Sequence, residues 1–281
     1  MSEKAGFYID ENDLVYHYTS VDGLLGIIKS KSLWFTECSV LNDESEGIHI
    51  VEKAKEVLME QPYEKEYVSF VLDSLHDKIK SKCFICSFSR DNDSLPLWQN
   101  YTKSNDKSGY NIAFKISDLR NALYKYFTIF DPRVSIWGVV YNEDIQKEIL
   151  KTTFDKYYEK WENKKDLIFL KMFLLSELRI FRFQFKHPAF EPENEVRCTI
   201  EFSENEYDTL LIGEQNFIKF RNASGLCAPY LEIPIEVENA AKEITLSPMI
   251  KDSSAIEAVK MLCKKYGLHC KINTSNIPLR F

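Results

Sequence analysis

Glu193-Asn194-Glu195-Val196-Arg197-Cys198-Thr199-Ile200-Glu201-Phe202 is the stretch on which the reading of this chain turns. At the two-residue period of a β-strand it separates into two rows of opposite character. Val196, Cys198, Ile200 and Phe202 make an apolar row that faces a core. Glu193, Glu195 and Arg197 make a charged row on the other face, where they are expected to line a concave surface. Same-side neighbours on a strand lie roughly 7 Å apart, so two carboxylates there repel unless something compensates. Such a row is a candidate for chemistry. It is equally readable as the solvated face of a half-exposed strand on which Arg197 neutralises Glu195.

Working outward, strands arrive in clusters. Residues 14–20, 32–37, 83–89, 110–116, 135–142, 194–202, 217–221, 229–236 and 243–247 read as strands, and Leu-His-Cys-Lys-Ile-Asn-Thr (268–274) as a closing one. Helices are expected at 21–32, 117–127 and 253–266. The blocks 43–80 and 143–185 read as helix only, the first divided by Pro62. Clustered strands without regular strand–helix alternation predict an α+β fold with a mixed, largely antiparallel central β core. We read residues 1–281 as one domain carrying helical insertions at about 43–80 and 143–185. The strands around 14–20, 83–89, 110–116 and 194–202 are expected to share the core.

Of the 281 residues 44% are apolar, enough to bury a substantial core, and Gly and Pro number only 9 each, which argues against long flexible linkers. A formal charge of −7 does not favour bulk nucleic-acid binding. The stretch 147–186 is locally basic, with ten Lys/Arg against six Asp/Glu, a mixture expected of solvated helix faces. The first fourteen residues are polar and acidic, unlike a secretory leader. No window approaches the roughly 18 apolar residues of a membrane span, so no membrane partner is expected. Seven cysteines in apolar surroundings fit a reducing, cytoplasmic compartment. Cys83 and Cys86 form a CxxC, but on a strand their odd spacing points them to opposite faces, and no metal is expected.

Three further constellations carry candidate chemistry. Tyr16-His17-Tyr18-Thr19 ends a strand, with Ser20 or Asp22 placed to cap the next helix. Its His17 is either presented to a cleft or satisfied by a backbone carbonyl. Asn42-Asp43-Glu44-Ser45-Glu46 has the outline of a capping box. Ser87 and Ser89 share a strand face, and Trp98 and Tyr101 lie three apart on a helical turn, either as core or as the wall of a site for a flat ring.

The His17-Tyr18-Thr19 opening, Asn42-Asp43 with Glu46, Ser87-Phe88-Ser89, Trp98 with Tyr101, Gly109 before Ala113-Phe114, Glu193-Asn194-Glu195-Val196-Arg197 and Ser275-Asn276-Ile277-Pro278 follow one another in the order seen in a bacterial family of uncharacterised proteins, which the chain resembles. Glu44 stands where that family usually has proline. The His opening and the late Glu-x-Glu also resemble ADP-ribosyltransferases, in which a first-strand His or Arg, a middle-strand Ser or Tyr and a late Glu grip NAD. The combination mixes features of different branches.

That resemblance implies an ADP-ribosyltransferase-like fold and an enzyme that uses NAD as co-substrate, with an unidentified macromolecular acceptor, in bacterial defence or toxin biology. Cleavage of the nicotinamide–ribose bond builds positive charge on the ribose carbon, and a fixed carboxylate stabilises it. On this reading Glu195 is the catalytic carboxylate, Glu193 handles the acceptor, and His17, with Tyr18 and Thr19, holds the ribose or diphosphate side. Ser89 hydrogen-bonds near the ribose, Trp98 or Tyr101 stacks on nicotinamide, and Arg197 meets phosphate or clamps Glu195. Two alternatives stay open: a non-catalytic nucleotide-sensing or partner-binding module on the same fold, and a metal-dependent nuclease built on Asp43, Glu46, Glu193 and Glu195.

Overall fold

A computed structural model describes residues 8–41, 49–76, 81–102, 108–126, 133–163, 166–212, 217–223 and 225–279. In chain order the elements begin with β1 (Leu14–Thr19), α1 (Val21–Ser30), β2 (Ser32–Glu37), α2 (His49–Glu60), α3 (Lys65–His76), β3 (Ser81–Ser89) and α4 (Leu95–Tyr101). They continue with β4 (Tyr110–Lys115), α5 (Ile116–Tyr126), β5 (Arg133–Gly138), α6 (Glu143–Glu162), α7 (Leu167–Gln184), β6 (Glu195–Ser203) and α8 (Glu204–Ile212). The last are β7 (Ile218–Ala223), β8 (Leu226–Pro234), α9 (Val237–Ala240), β9 (Ala241–Leu246), α10 (Ser254–Tyr266) and β10 (Lys271–Thr274). The chain is mixed α/β with a mostly antiparallel open sheet. α8 and the four-residue α9 were not legible in the sequence pattern.

These elements fall into two compact units. One is built on Leu41–Ser81 and Gly138–Glu191 and holds α2, α3, α6 and α7. Its core joins Ile50, Ala54, Val57 and Leu58 to Tyr67, Val71, Leu150, Phe154, Leu170, Leu174 and Leu178, the inward stripes of four amphipathic helices. Gln146 is a fully buried polar link in it. Its Nε2 donates to the carbonyls of Val140 (2.6 Å) and Lys186 (3.0 Å), and its Oε1 pairs with His49 Nε2 at 2.9 Å. α7 is apolar on its outer side too, with Ile168, Phe169, Met172 and Phe173 exposed. No described helix is long and apolar enough to cross a membrane.

The other unit, Ile9–Val40, Lys82–Trp137 and Pro192–Phe281, is organised by the sheet. Its strands run in the order β10-β9-β4-β1-β3-β2-β8-β7, and β6 branches from β3 to pair also with β5. β1, β3, β4 and β6 therefore belong to one sheet, as the clustering of strands predicts. β9 and β10 pair in parallel, whereas β1 meets β4 antiparallel with His17 opposite Ile112 and Tyr18 opposite Asn111. One face carries the main core: Val15 of β1, Phe84, Cys86 and Phe88 of β3, Ile112 and Phe114 of β4, and Val196, Cys198, Ile200 and Phe202 of β6, under Leu24, Ile27 and Ile28 of α1. Ser20 caps α1 by accepting from Gly23 N–H at 3.1 Å, and Lys31 ends it in the left-handed region at φ 52°.

Candidate functional site

Strand alternation fixes which side chains can meet. In β6 the apolar row lies in the core, so Glu195 and Arg197 project from the opposite face. In β3, Ser87 and Ser89 alternate with core residues Cys86 and Phe88 and take that same opposite face. Tyr16 is paired with Ser89 across the strands, and Tyr16 and Tyr18 pack on this side against Leu97, Trp98 and Tyr101 of α4. The polar face of β1, β3 and β6, roofed by α4, is the candidate site.

Glu193 departs from the strand reading. β6 begins at Glu195, because Asn194 takes a left-handed conformation at φ 42° and Glu193 ends a turn of 3-10 helix over Pro188–Glu193. Glu193 thus does not share a strand row with Glu195 and Arg197. Its backbone and side chain are held separately. Ser89 Oγ donates to the Glu193 carbonyl at 2.7 Å, while Tyr101 Oη donates to Glu193 Oε1 at 2.5 Å. Arg90 N–H donates to the Asn194 carbonyl at 2.9 Å, which pins the left-handed residue to the end of β3.

Glu195 and Arg197 form a bidentate pair, Nε to Oε1 at 2.8 Å and Nη2 to Oε2 at 3.0 Å. They are 5% and 1% exposed, so the charged row of β6 is as interior as the apolar row. The reading of solvated charges is thereby corrected. Burial of both ions is tolerable because each satisfies the other in fork geometry, and desolvation strengthens the pairing.

The loop after β3 supplies the floor, and its parts were not singled out from the sequence. Tyr18 Oη donates to the Asp91 carbonyl (2.7 Å) and accepts from Ser94 N–H (3.0 Å). Asn111 Nδ2 donates to the Asn92 carbonyl at 2.7 Å, and Asn194 Nδ2 to Asp91 Oδ1 at 3.0 Å. Asp93 accepts from Trp98 Nε1 and from Asn276 N–H, each at 2.8 Å. Asp91 N–H donates to Ser89 Oγ at 3.1 Å, so one relay runs from Asp91 through Ser89 to the Glu193 carbonyl. The Asp/Asn/Ser composition of 91–94 is the only local sign of this loop, since such side chains satisfy backbone groups in turns.

The remaining candidates separate. Trp98 is 1% exposed, with its ring edge-on to Tyr18 at 4.6 Å, which makes it a wall support with no face to offer a ligand. Ser89 has its hydroxyl engaged at both ends and acts on Glu193. Thr19 lies against α1, where a Cβ on Gly23 would stand 1.9 Å from its Oγ1. His17 points to the core side of the sheet, away from Tyr18 and Ser89, with its ring 5.6 Å from that of Phe88 and its Nδ1 3.0 Å from the Ser87 carbonyl. Enclosure lowers the His17 pKa below the usual imidazole value, with the Ser87 bond acting in the opposite sense. Burial raises the Tyr18 phenol well above the usual value. The structure therefore gathers Tyr18, Ser89, Trp98, Tyr101, Glu193, Glu195 and Arg197 on one side of the sheet and leaves His17 on the other. Asn42, Asp43 and Glu46 lie outside the described residues.

No curated protein matches the chain. Residues 97–198, which run from α4 into β6 and include Tyr101, Glu193, Glu195 and Arg197, match the model of a family described as a protein of unknown function, DUF2971, and so fit an uncharacterised domain family.

Proposed function

We propose that this face of the sheet is the site of an ADP-ribosyltransferase-like enzyme that binds NAD and cleaves its nicotinamide–ribose bond, with Glu193 as the carboxylate set against the developing ribose cation. The observation that carries this reading is the double hold on Glu193: its main chain is tied to Ser89 and its carboxylate to Tyr101, while it keeps partial access to solvent. A carboxylate fixed before the reaction stabilises oxocarbenium-like charge without reorganising. The role moves here from Glu195, whose charge is already met by the buried Arg197 guanidinium. Glu195 and Arg197 then act as the scaffold that sets the start of β6, and Tyr101 serves as the positioning residue for Glu193.

The alternative is a module on the same fold that binds a nucleotide or a partner without turnover. Titrating NAD into the wild-type chain and following nicotinamide release separates the two. The transferase reading expects release that falls on the order of 10²-fold or more in Glu193→Gln, the scale for one preorganised electrostatic contact. Tyr101→Phe should fall less, with NAD affinity retained in both. Release that survives unchanged in Glu193→Gln removes Glu193 from the role. Binding of NAD without release selects the non-catalytic module, and no binding in any form refutes the NAD site.

A further inference from the structure

The end of the sheet unit brings two thiols into contact. Cys263 lies in the last turns of α10 and Cys270 directly before β10, and their Sγ atoms are 3.6 Å apart. Backbone geometry makes the meeting. Gly267 adopts φ 72° and its N–H returns to the Cys263 carbonyl, as does that of Leu268 at 2.9 Å. This helix-ending turn reverses the chain over Cys263 and lays Cys270 beside it. A disulfide requires an S–S distance of about 2.05 Å, so roughly 1.5 Å of approach closes the bond.

The chemistry of the pair favours reaction. The Cys270 S–H stabilises a thiolate on Cys263, which lowers the Cys263 pKa and raises that of Cys270. Cys263 is 6% exposed and Cys270 is half-buried, so a small oxidant reaches the pair from the Cys270 side. Cys86 and Cys198 differ: burial within the core pushes the Cys86 thiol up to about 12 and Cys198 well above its usual value, so both stay protonated.

The residues after β10 give the pair a target. Ser275 N–H donates to the Leu246 carbonyl at 3.0 Å and Asn276 N–H to Asp93 Oδ2 at 2.8 Å. Ile277 packs on the Tyr18–Leu97–Trp98 cluster. The segment Ser275–Ile277 is thus a strap from β10 onto the loop that floors the candidate site.

We propose that Cys263 and Cys270 are a reversible redox pair, oxidised by a hydroperoxide to a disulfide that fixes the C-terminal strap on the Asp91–Ser94 loop. The Cys263 thiolate attacks the peroxide, breaking its O–O bond and forming a sulfenic acid with release of hydroxide or alkoxide. The Cys270 sulfur then attacks the sulfenic sulfur, forming the S–S bond and expelling the hydroxyl, which leaves as water with the Cys270 proton. The two thiols lose two electrons and the peroxide gains them. A dithiol reverses the bond by exchange. Formation of the disulfide does not require NAD to bind at the polar face of the sheet.

The test treats the full chain with hydrogen peroxide, blocks remaining thiols with an alkylating reagent and maps the peptides. The expected result is a loss of about 2 Da, the two hydrogens of a dithiol, with a cross-linked peptide containing Cys263 and Cys270 that dithiothreitol releases. Hydrogen exchange at the Asn276 amide should slow and the unfolding temperature should rise by a few degrees. Cys263→Ser and Cys270→Ser should each abolish the cross-link and both physical responses. Full alkylation of Cys263 and Cys270 after peroxide treatment overturns the pair. A cross-link that leaves Asn276 exchange unchanged overturns the strap. Mapping of the wild-type chain keeps the test decisive even where a variant folds poorly.

Discussion

Arg197→Met is the most informative single perturbation of the candidate site. It keeps most of the apolar stem and removes the guanidinium, leaving the Glu195 carboxylate at 5% exposure without its two donors at 2.8 and 3.0 Å. Breaking a buried ion pair from one side costs about 3–5 kcal/mol, because the remaining ion keeps its desolvation penalty. At roughly 2–4 °C per kcal/mol, the unfolding temperature should fall by on the order of 10 °C. With a urea slope of about 2 kcal/mol per M, the midpoint should move down by about 2 M. Adding Glu195→Leu removes the buried carboxylate that has lost these two donors. The double variant should therefore be no less stable than Arg197→Met, and Glu195→Leu alone should also be costly because it takes two carboxylate acceptors from the buried guanidinium. The assay is equilibrium urea unfolding of wild type, both singles and the double, followed by tryptophan fluorescence. Losses that simply add would show that the two side chains do not act on each other, and would refute the scaffold role given to the pair.

Two further outcomes rest on the geometry. A methyl group at Gly109 would stand 2.3 Å from Thr102 Cγ2 and 2.7 Å from the Thr19 carbonyl oxygen, so Gly109→Ala should cost about 1–3 kcal/mol in thermal or urea unfolding. Thr102→Ser removes the methyl contact but not the backbone one, and full rescue by it would contradict this packing. His17 titrates below the usual imidazole value in the folded chain, so the unfolded chain binds more protons as pH falls. Its contribution to stability is complete above the unfolded value near 6.5 and is lost as pH drops below it. A His17 ring resonance that titrates at or above that ordinary value would contradict the enclosed, neutral imidazole.

Much of the fold was legible because apolar periodicity reports burial directly. Spacing alone places Val196, Cys198, Ile200 and Phe202 in a core, and all four lie there. The same alternation misled at Glu193, since a two-residue period assumes unbroken extended backbone and Asn194 at φ 42° breaks it. Asparagine is among the few residues that tolerate that conformation, so the warning stood in the sequence one position away. The charged row misled in another way. Charge argues for solvent only while it is unpaired, and Arg197 with Glu195 satisfies itself well enough to go inside. His17 failed for lack of a local rule: nothing in Tyr16-His17-Tyr18 states which face of β1 is polar until Val15 and Phe88 are seen beneath it.

The loop at 91–94 shows why the site resisted local reading more than the sheet did. Its partners come from separate segments: Tyr18 in β1, Trp98 in α4, Asn111 in β4, Asn194 before β6 and Asn276 after β10. Four of the five donate through a side-chain group and Asn276 through its backbone. None of these segments announces a function at helical or strand period. They converge because β1 lies between β4 and β3, because β6 branches from β3, and because β10 closes beside β9. Each added hydrogen bond contributes only about 0.5–1.5 kcal/mol, yet an unpaired buried partner costs more than the bond returns. The loop is therefore held as a set, and two of the five, Tyr18 and Asn194, bond Asp91, whose N–H meets Ser89 Oγ as Ser89 in turn meets the Glu193 carbonyl. The position of the proposed catalytic carboxylate is in this sense a property of the whole sheet order, and only the assembled topology displays it.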